Sequence, residues 1–174
     1  SFRWNDIEGS GATLKLKAAY GGEFLQSYAG ELSSGTLLGE LVQLETLVEF
    51  REFPNSRFFG IGNSDGDEQS FESLDGRIVD PLTDATAVAT RYRHDTFSAR
   101  LGGRIHVTDS ISLLLSGAYR LRDFEENITT VGDARIDAAY DVNRLTGYTS
   151  GLSNLYSEAL LTIDGRKKLE RYHS

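Results

Sequence analysis

The sequence predicts an all-β, antiparallel fold. Three observations carry the prediction: hydrophobic residues recur with a period of two rather than 3.6, only 2 prolines stand among 18 glycines, and Gly- and Ser-rich breaks separate the periodic runs. The alternation is clearest from Thr96 to Asp123. Phe97, Ala99, Leu101, Gly103, Ile105 and Val107 alternate with Thr96, Ser98, Arg100, Gly102, Arg104 and His106. After Thr108-Asp109-Ser110 the rhythm resumes with Ile111, Leu113, Leu115, Gly117, Tyr119 and Leu121. Strand side chains point alternately to opposite faces, so one row meets an apolar medium and the other a polar one.

Each element follows from the same rhythm. After Gly9-Ser10-Gly11, a strand runs from Ala12 to Tyr20, and Gly21-Gly22 turns the chain. Phe24 to Leu32 is a weaker strand, closed by a turn at Ser33-Ser34-Gly35. A long strand spans Leu38 to Phe53, with Val42, Leu44, Thr46, Val48 and Phe50 opposite Gln43, Glu45, Leu47, Glu49 and Arg51. Pro54 to about Ala85 is acidic and rich in Gly, Asp and Ser, which predicts a loop near 54–86. Strands from about Ala87 to Val107 and from Ile111 to about Phe124 form a hairpin. A second long loop covers 125–151, with local structure from Ala134 to Val142, and a last strand runs from Leu155 to Asp164. About seven strands are legible, with no linker between domains, so residues 1–174 read as part of one domain.

Composition narrows the classes. The chain has 174 residues, no cysteine and no methionine. Disulfides, thiolate metal sites and cysteine nucleophiles are thereby excluded, and the chain is expected to be an internal segment of a longer protein. A formal net charge of -8 argues against nucleic-acid binding. No apolar run approaches the roughly 18 residues of a membrane helix. A mean hydropathy of -0.33 still leaves open a membrane β-barrel, whose strands need only about 9–11 alternating residues.

Loop lengths favour that barrel. Following the chain up and down, Ser33 to Gly35 and Thr108 to Ser110 fall at one end and both long loops at the other. This is the asymmetry of an outer-membrane barrel, and a soluble sandwich or lipocalin-like barrel does not need it. Closure leaves no backbone group unpaired in hydrocarbon. The odd row of residues 97–107 then faces lipid, and Arg100, Arg104, Arg120 and Arg122 line a wet lumen, hydrated or paired with Glu45 and Glu49. An arginine on the lipid face would cost roughly 2–4 kcal/mol at the midplane. Phe50, Phe53, Phe97, Tyr119 and Phe124 sit towards strand ends, as interfacial aromatic girdles do. Seven unclosed strands in water are expected to aggregate.

A strand ending in Phe-Pro is followed by RFFGIGN, residues Arg57, Phe58, Phe59, Gly60, Ile61, Gly62 and Asn63, and then by an acidic stretch. This pattern resembles the bacterial surface antigen (D15) barrel of the Omp85 superfamily, which includes the BamA and TamA-like proteins. The tail LTIDGRK, with Asp164 and Arg166, is similar to the Asp-x-Arg turn of the same barrels. The resemblance implies an antiparallel transmembrane β-barrel of sixteen strands in the Gram-negative outer membrane, of which this chain would supply about seven. It also implies help in inserting or translocating outer-membrane proteins, with client proteins and periplasmic partners besides outer-membrane lipids and lipopolysaccharide. The family's Arg-Gly-Phe or Arg-Gly-Tyr loop word is absent from these residues.

No catalytic residue, cofactor or metal is expected. Gly60-Ile61-Gly62 lacks GxGxxG spacing. Asn63, Asp65 and Asp67 begin like a calcium loop, but Glu68 and Leu74 stand where glycine and glutamate are needed. His106, Asp109 and Ser110 crowd one tight turn without GxSxG, and His94 and His173 lack partners at metal spacing. Two other functions remain open: a passive porin-like channel whose arginine rows set ion preference, and an outer-membrane lipid hydrolase assembled from several strands.

Overall fold

A computed structural model describes residues 1–7, 9, 11–37, 41–61, 69–84, 86–108, 110–126 and 133–164. The fold is all-β. Among the described residues one sheet carries β1 (Phe2–Ile7), β2 (Ala12–Tyr20), β3 (Gln26–Leu37), β4 (Val42–Phe58), β5 (Thr90–Thr108), β6 (Ile111–Glu126), β7 (Ala134–Arg135) and β8 (Leu152–Ile163). The spatial order is β1-β2-β3-β4-β5-β6-β8, antiparallel at every step. β7 is a two-residue parallel addition to the start of β5. The sheet is open, and β1 and β8 are its edges.

Both long connections, β4 to β5 and β6 to β8, leave the same end of the sheet, as expected. So does the Gly21-Gly22 turn, whose flanking Tyr20 and Gln26 are level with Glu52 and Asp95. The opposite end carries the short connections. There the Asp164 N–H donates to the Ser110 carbonyl at 2.7 Å, so Asp164 lies at the short-turn rim, as the topology expects.

Several boundaries differ from expectation. β1 was not foreseen. Ser33-Ser34-Gly35 is no turn: β3 continues to Leu37, and Gly35, at φ +68°, sits within a register shift between Ser33 and Thr36. A glycine there supplies the left-handed residue of a bulge rather than a reversal. β4 passes through Pro54 to Phe58, because the strand shifts register between Phe53 and Ser56, where no ladder N–H is required of proline. β8 begins at Leu152, three residues early, and β5 at Thr90, three residues late.

The described residues of the long loops fold into a cap over one end of the sheet with its own core of Val79, Val88, Ile136, Ala139, Tyr140 and Leu145, each at most 8% exposed. Ile136–Ala139 forms the single-turn helix α1 within the stretch expected to hold local structure. Phe58 and Tyr92 reach into this core from β4 and β5. Backbone bonds from the Val79 N–H to the Ala139 carbonyl (2.8 Å) and from the Asp141 N–H to the Val79 carbonyl (2.9 Å) tie the two loops together.

Tyr140 is the clasp. Its hydroxyl accepts from the Val88 N–H at 2.8 Å and donates to the Val88 carbonyl at 3.1 Å. Burial pushes its phenol pKa up, so it stays protonated and able to donate. Replacing Tyr140→Phe strips both backbone groups of that partner, at about 1–3 kcal/mol for buried groups. Amide exchange in the full-length protein should then show the Val88 N–H exchanging about 5- to 150-fold faster. Unchanged protection would refute the clasp.

Candidate functional site: an apolar and a basic face of one sheet

The strand register sorts the sheet into two unlike faces. Partnered residues share a face, so the row Tyr28, Phe50, Phe97 and Leu121 runs across β3 to β6. The next row is Gly30, Val48, Ala99, Tyr119 and Leu155, then Leu32, Thr46, Leu101, Gly117 and Ser157. Below these lie Leu44, Gly103, Leu115 and Ala159, then Val42, Ile105, Leu113 and Leu161. β2 contributes Leu14, Leu16 and Ala18, and β1 contributes Phe2 and Trp4. No charged residue stands in these rows.

This apolar face is also an exposed one. Leu101 is 61% exposed, Leu161 60% and Leu155 84%, whereas the cap core is essentially closed. Along β5 the odd residues Phe97, Leu101, Ile105 and Val107 are exposed and Ala99 and Gly103 half-buried, while of the even residues Thr96, Ser98, Arg104 and His106 are half-buried, Gly102 is buried and Arg100 is exposed. In a protein surrounded by water the preference runs the other way. Towards the cap the face ends abruptly on Glu52, Asp95 and Asp123, which are level with one another. Arg93 bridges Glu52 and Asp95 at 3.2 Å each and Glu125 at 3.5 Å.

The opposite face carries the charge. Arg100, Arg104, Arg120, Arg122, Glu45 and Glu49 all lie on it, as the alternation requires. The expected pairing is different. Glu49 accepts from Arg51 at 2.7 Å, and Arg100 reaches Glu158 on β8 at 3.5 Å and the Ser116 hydroxyl at 3.4 Å. Among the described residues, Arg104, Arg120 and Arg122 lie within ion-pair distance of no carboxylate. Phe53 and Phe124 also belong to this face, not to an aromatic girdle with Phe50 and Phe97. They pack with His94, whose ring centroid is 4.5 Å from Phe53 and 6.1 Å from Phe124.

The RFFGIGN word fastens the cap to the sheet. Arg57 stands directly opposite Arg91, a repulsive pair in isolation. Asp133 resolves it, 2.8 Å from Arg91 Nε and 3.4 Å from Arg57 Nε. The Phe58 ring meets Tyr140 edge to face at 5.1 Å. Gly60 adopts φ +100°, which favours glycine, and an added Cβ would make a tight 3.2 Å contact with the Tyr140 hydroxyl. Phe59 and Ile61 are about half exposed. Gly62, Asn63, Asp65, Asp67, Glu68, Asp109, Arg166 and His173 lie outside the described residues. Among those described, no group of three or more His, Asp or Glu side chains is placed to hold a metal.

Asp133 has two arginines to neutralise and Arg57 only one carboxylate to lose. Asp133→Asn should therefore loosen the cap more than Arg57→Gln does, read as faster limited proteolysis between residues 59 and 89. Equal rates for the two variants would show that the Arg57 and Arg91 repulsion is not what Asp133 relieves.

The chain matches no protein-family model, and no curated protein or solved structure matches it.

Proposed function

We propose that the chain is a segment of an outer-membrane β-barrel of the bacterial surface antigen (D15) type, which assists the insertion or translocation of other outer-membrane proteins. One observation supports the membrane setting above all: the uncharged face of the sheet is exposed, with no layer of described residues packed on it. On β5 it runs from Phe97 to Val107, about ten steps of about 3.3 Å, which at a strand tilt of about 40° is about 25 Å of height. That is the height of the apolar band of such barrels. The capped end, with both long loops, is then the extracellular side, and the short turns are periplasmic.

The assembly role rests on the resemblance of RFFGIGN and the Asp164 turn to that family, with client proteins and periplasmic partners as it implies. A second reading is a passive channel, favoured by the excess of arginine on the opposite face. Neither reading calls for a cofactor or covalent catalysis.

Leu101→Arg tests the membrane setting. At mid-band on the apolar face, the substitution should destabilise the full-length protein folded into lipid vesicles by about 2–4 kcal/mol, measured by urea unfolding. Ser98→Arg, at similar depth on the charged face, should cost less than about 1 kcal/mol. Equal costs for the two would contradict the assignment of faces.

A further inference from the structure

We infer that the charged face is an electropositive surface that gathers oxyanions, phosphates or carboxylates, with its focus beside Arg100 and Arg120. The inference rests on the membrane reading, which makes this face the aqueous one.

The sign is opposite to that of the chain. The whole sequence has a net charge of -8. On β4, β5, β6 and β8, however, the face presents Arg51, Arg100, Arg104, Arg120 and Arg122 against Glu45, Glu49 and Glu158. On β1 to β3 it adds Arg3, Lys15 and Lys17 against Glu31. From the short-turn rim up to the row of Phe53, His94 and Phe124, eight cations thus meet four carboxylates on this face.

Local pairing sharpens the excess. Glu31 is taken by Lys15, Glu49 by Arg51 and Glu158 by Arg100. Arg104, Arg120 and Arg122 are left without a carboxylate among the described residues, and the Arg122 Nε is buried without a hydrogen-bond partner. Arg100 and Arg120 open on a groove of about 540 Å³ shared with Glu49, Asn154 and Tyr156. A concave wall with an excess of one sign, here two arginines to one glutamate, focuses the field into such a groove and concentrates counter-ions there. Guanidinium forks supply paired donors suited to oxyanions, and the Asn154 amide and Tyr156 hydroxyl add uncharged ones.

These 174 residues contain no cysteine, so single thiols introduced among them, in a full-length background cleared of any other cysteine, report the local potential. Ser98 and Asn154 flank Arg120 on the two neighbouring strands. Ser98→Cys and Asn154→Cys in the full-length protein in lipid vesicles are reacted with an anionic sulfonatoethyl and a cationic trimethylammonioethyl methanethiosulfonate, each rate being divided by that of a free thiol. The anionic reagent should be favoured by about fivefold or more. Adding Arg100→Gln and Arg120→Gln should bring the ratio close to one. A ratio at or below one in the parent background overturns the inference, as does failure of both reagents to react. Leu101→Cys separates the two levels. If the apolar-face thiol reacts freely with both reagents, the membrane reading fails. If it is shielded while the Ser98 thiol shows no anionic preference, only the oxyanion inference fails.

Discussion

An apolar face shared by seven strands has to be covered by something other than water, and the rest of the structure is arranged around that requirement. Each square ångström of such surface left wet forgoes about 25 cal/mol, and no second layer of described residues is packed on the face. From the level of Phe97 to that of Val107, the alternation of side chains then keeps every charge of these strands on the opposite side. In a soluble sandwich the same pattern would put the apolar row inside. Here the chain places its only described hydrophobic core in the connections at one end. On the proposed reading, lipid takes the place of the missing layer, and backbone pairing within the sheet meets the demand that hydrocarbon makes of every N–H and C=O.

The cap and the sheet obey different physics within one chain. The cap is held as soluble proteins are, by closed apolar packing around Tyr140 and by a buried hydroxyl that replaces a strand partner at Val88. Its attachment is both apolar, through Phe58 and Tyr92, and electrostatic: Asp133 allows two opposed arginines to stand at the cap end of β4 and β5. Between cap and apolar face lies the level of Glu52, Asp95 and Asp123, where a charged side chain becomes tolerable. On the proposed reading that level marks the passage from hydrocarbon to headgroups.

Much of the sheet was legible because period two is a local signal repeated over long strands. The separation of Arg100, Arg104, Arg120 and Arg122 from Phe97, Leu101 and Leu115 follows from parity alone. Parity also separates Phe50 from Phe53, an offset of three, so the opposite placement of Phe53 could have been read from the sequence. β1 was missed because Phe2, Arg3, Trp4 and Asn5 offer too short an alternation. Gly35 and Pro54 were misread because a bulge and a turn draw on the same residues. The cap could not be read, since Val79, Val88 and Tyr140 meet only through tertiary packing of segments that look polar. The partner of Arg100 was hidden for a similar reason: Glu158 lies two strands away, and only the full register brings them together.

The central claim is that one face of this sheet lies against lipid and the other against water. The most direct measurement places a single spin label in turn at each residue from 97 to 107 of the full-length protein in lipid vesicles. Collision rates with oxygen, which concentrates in hydrocarbon, and with a water-soluble nickel chelate are then compared. The account predicts two out-of-phase oscillations of period two, with oxygen favoured at odd positions and nickel at even ones. High nickel accessibility at Leu101 and Ile105, equal to that at Arg100 and Arg104, would contradict it.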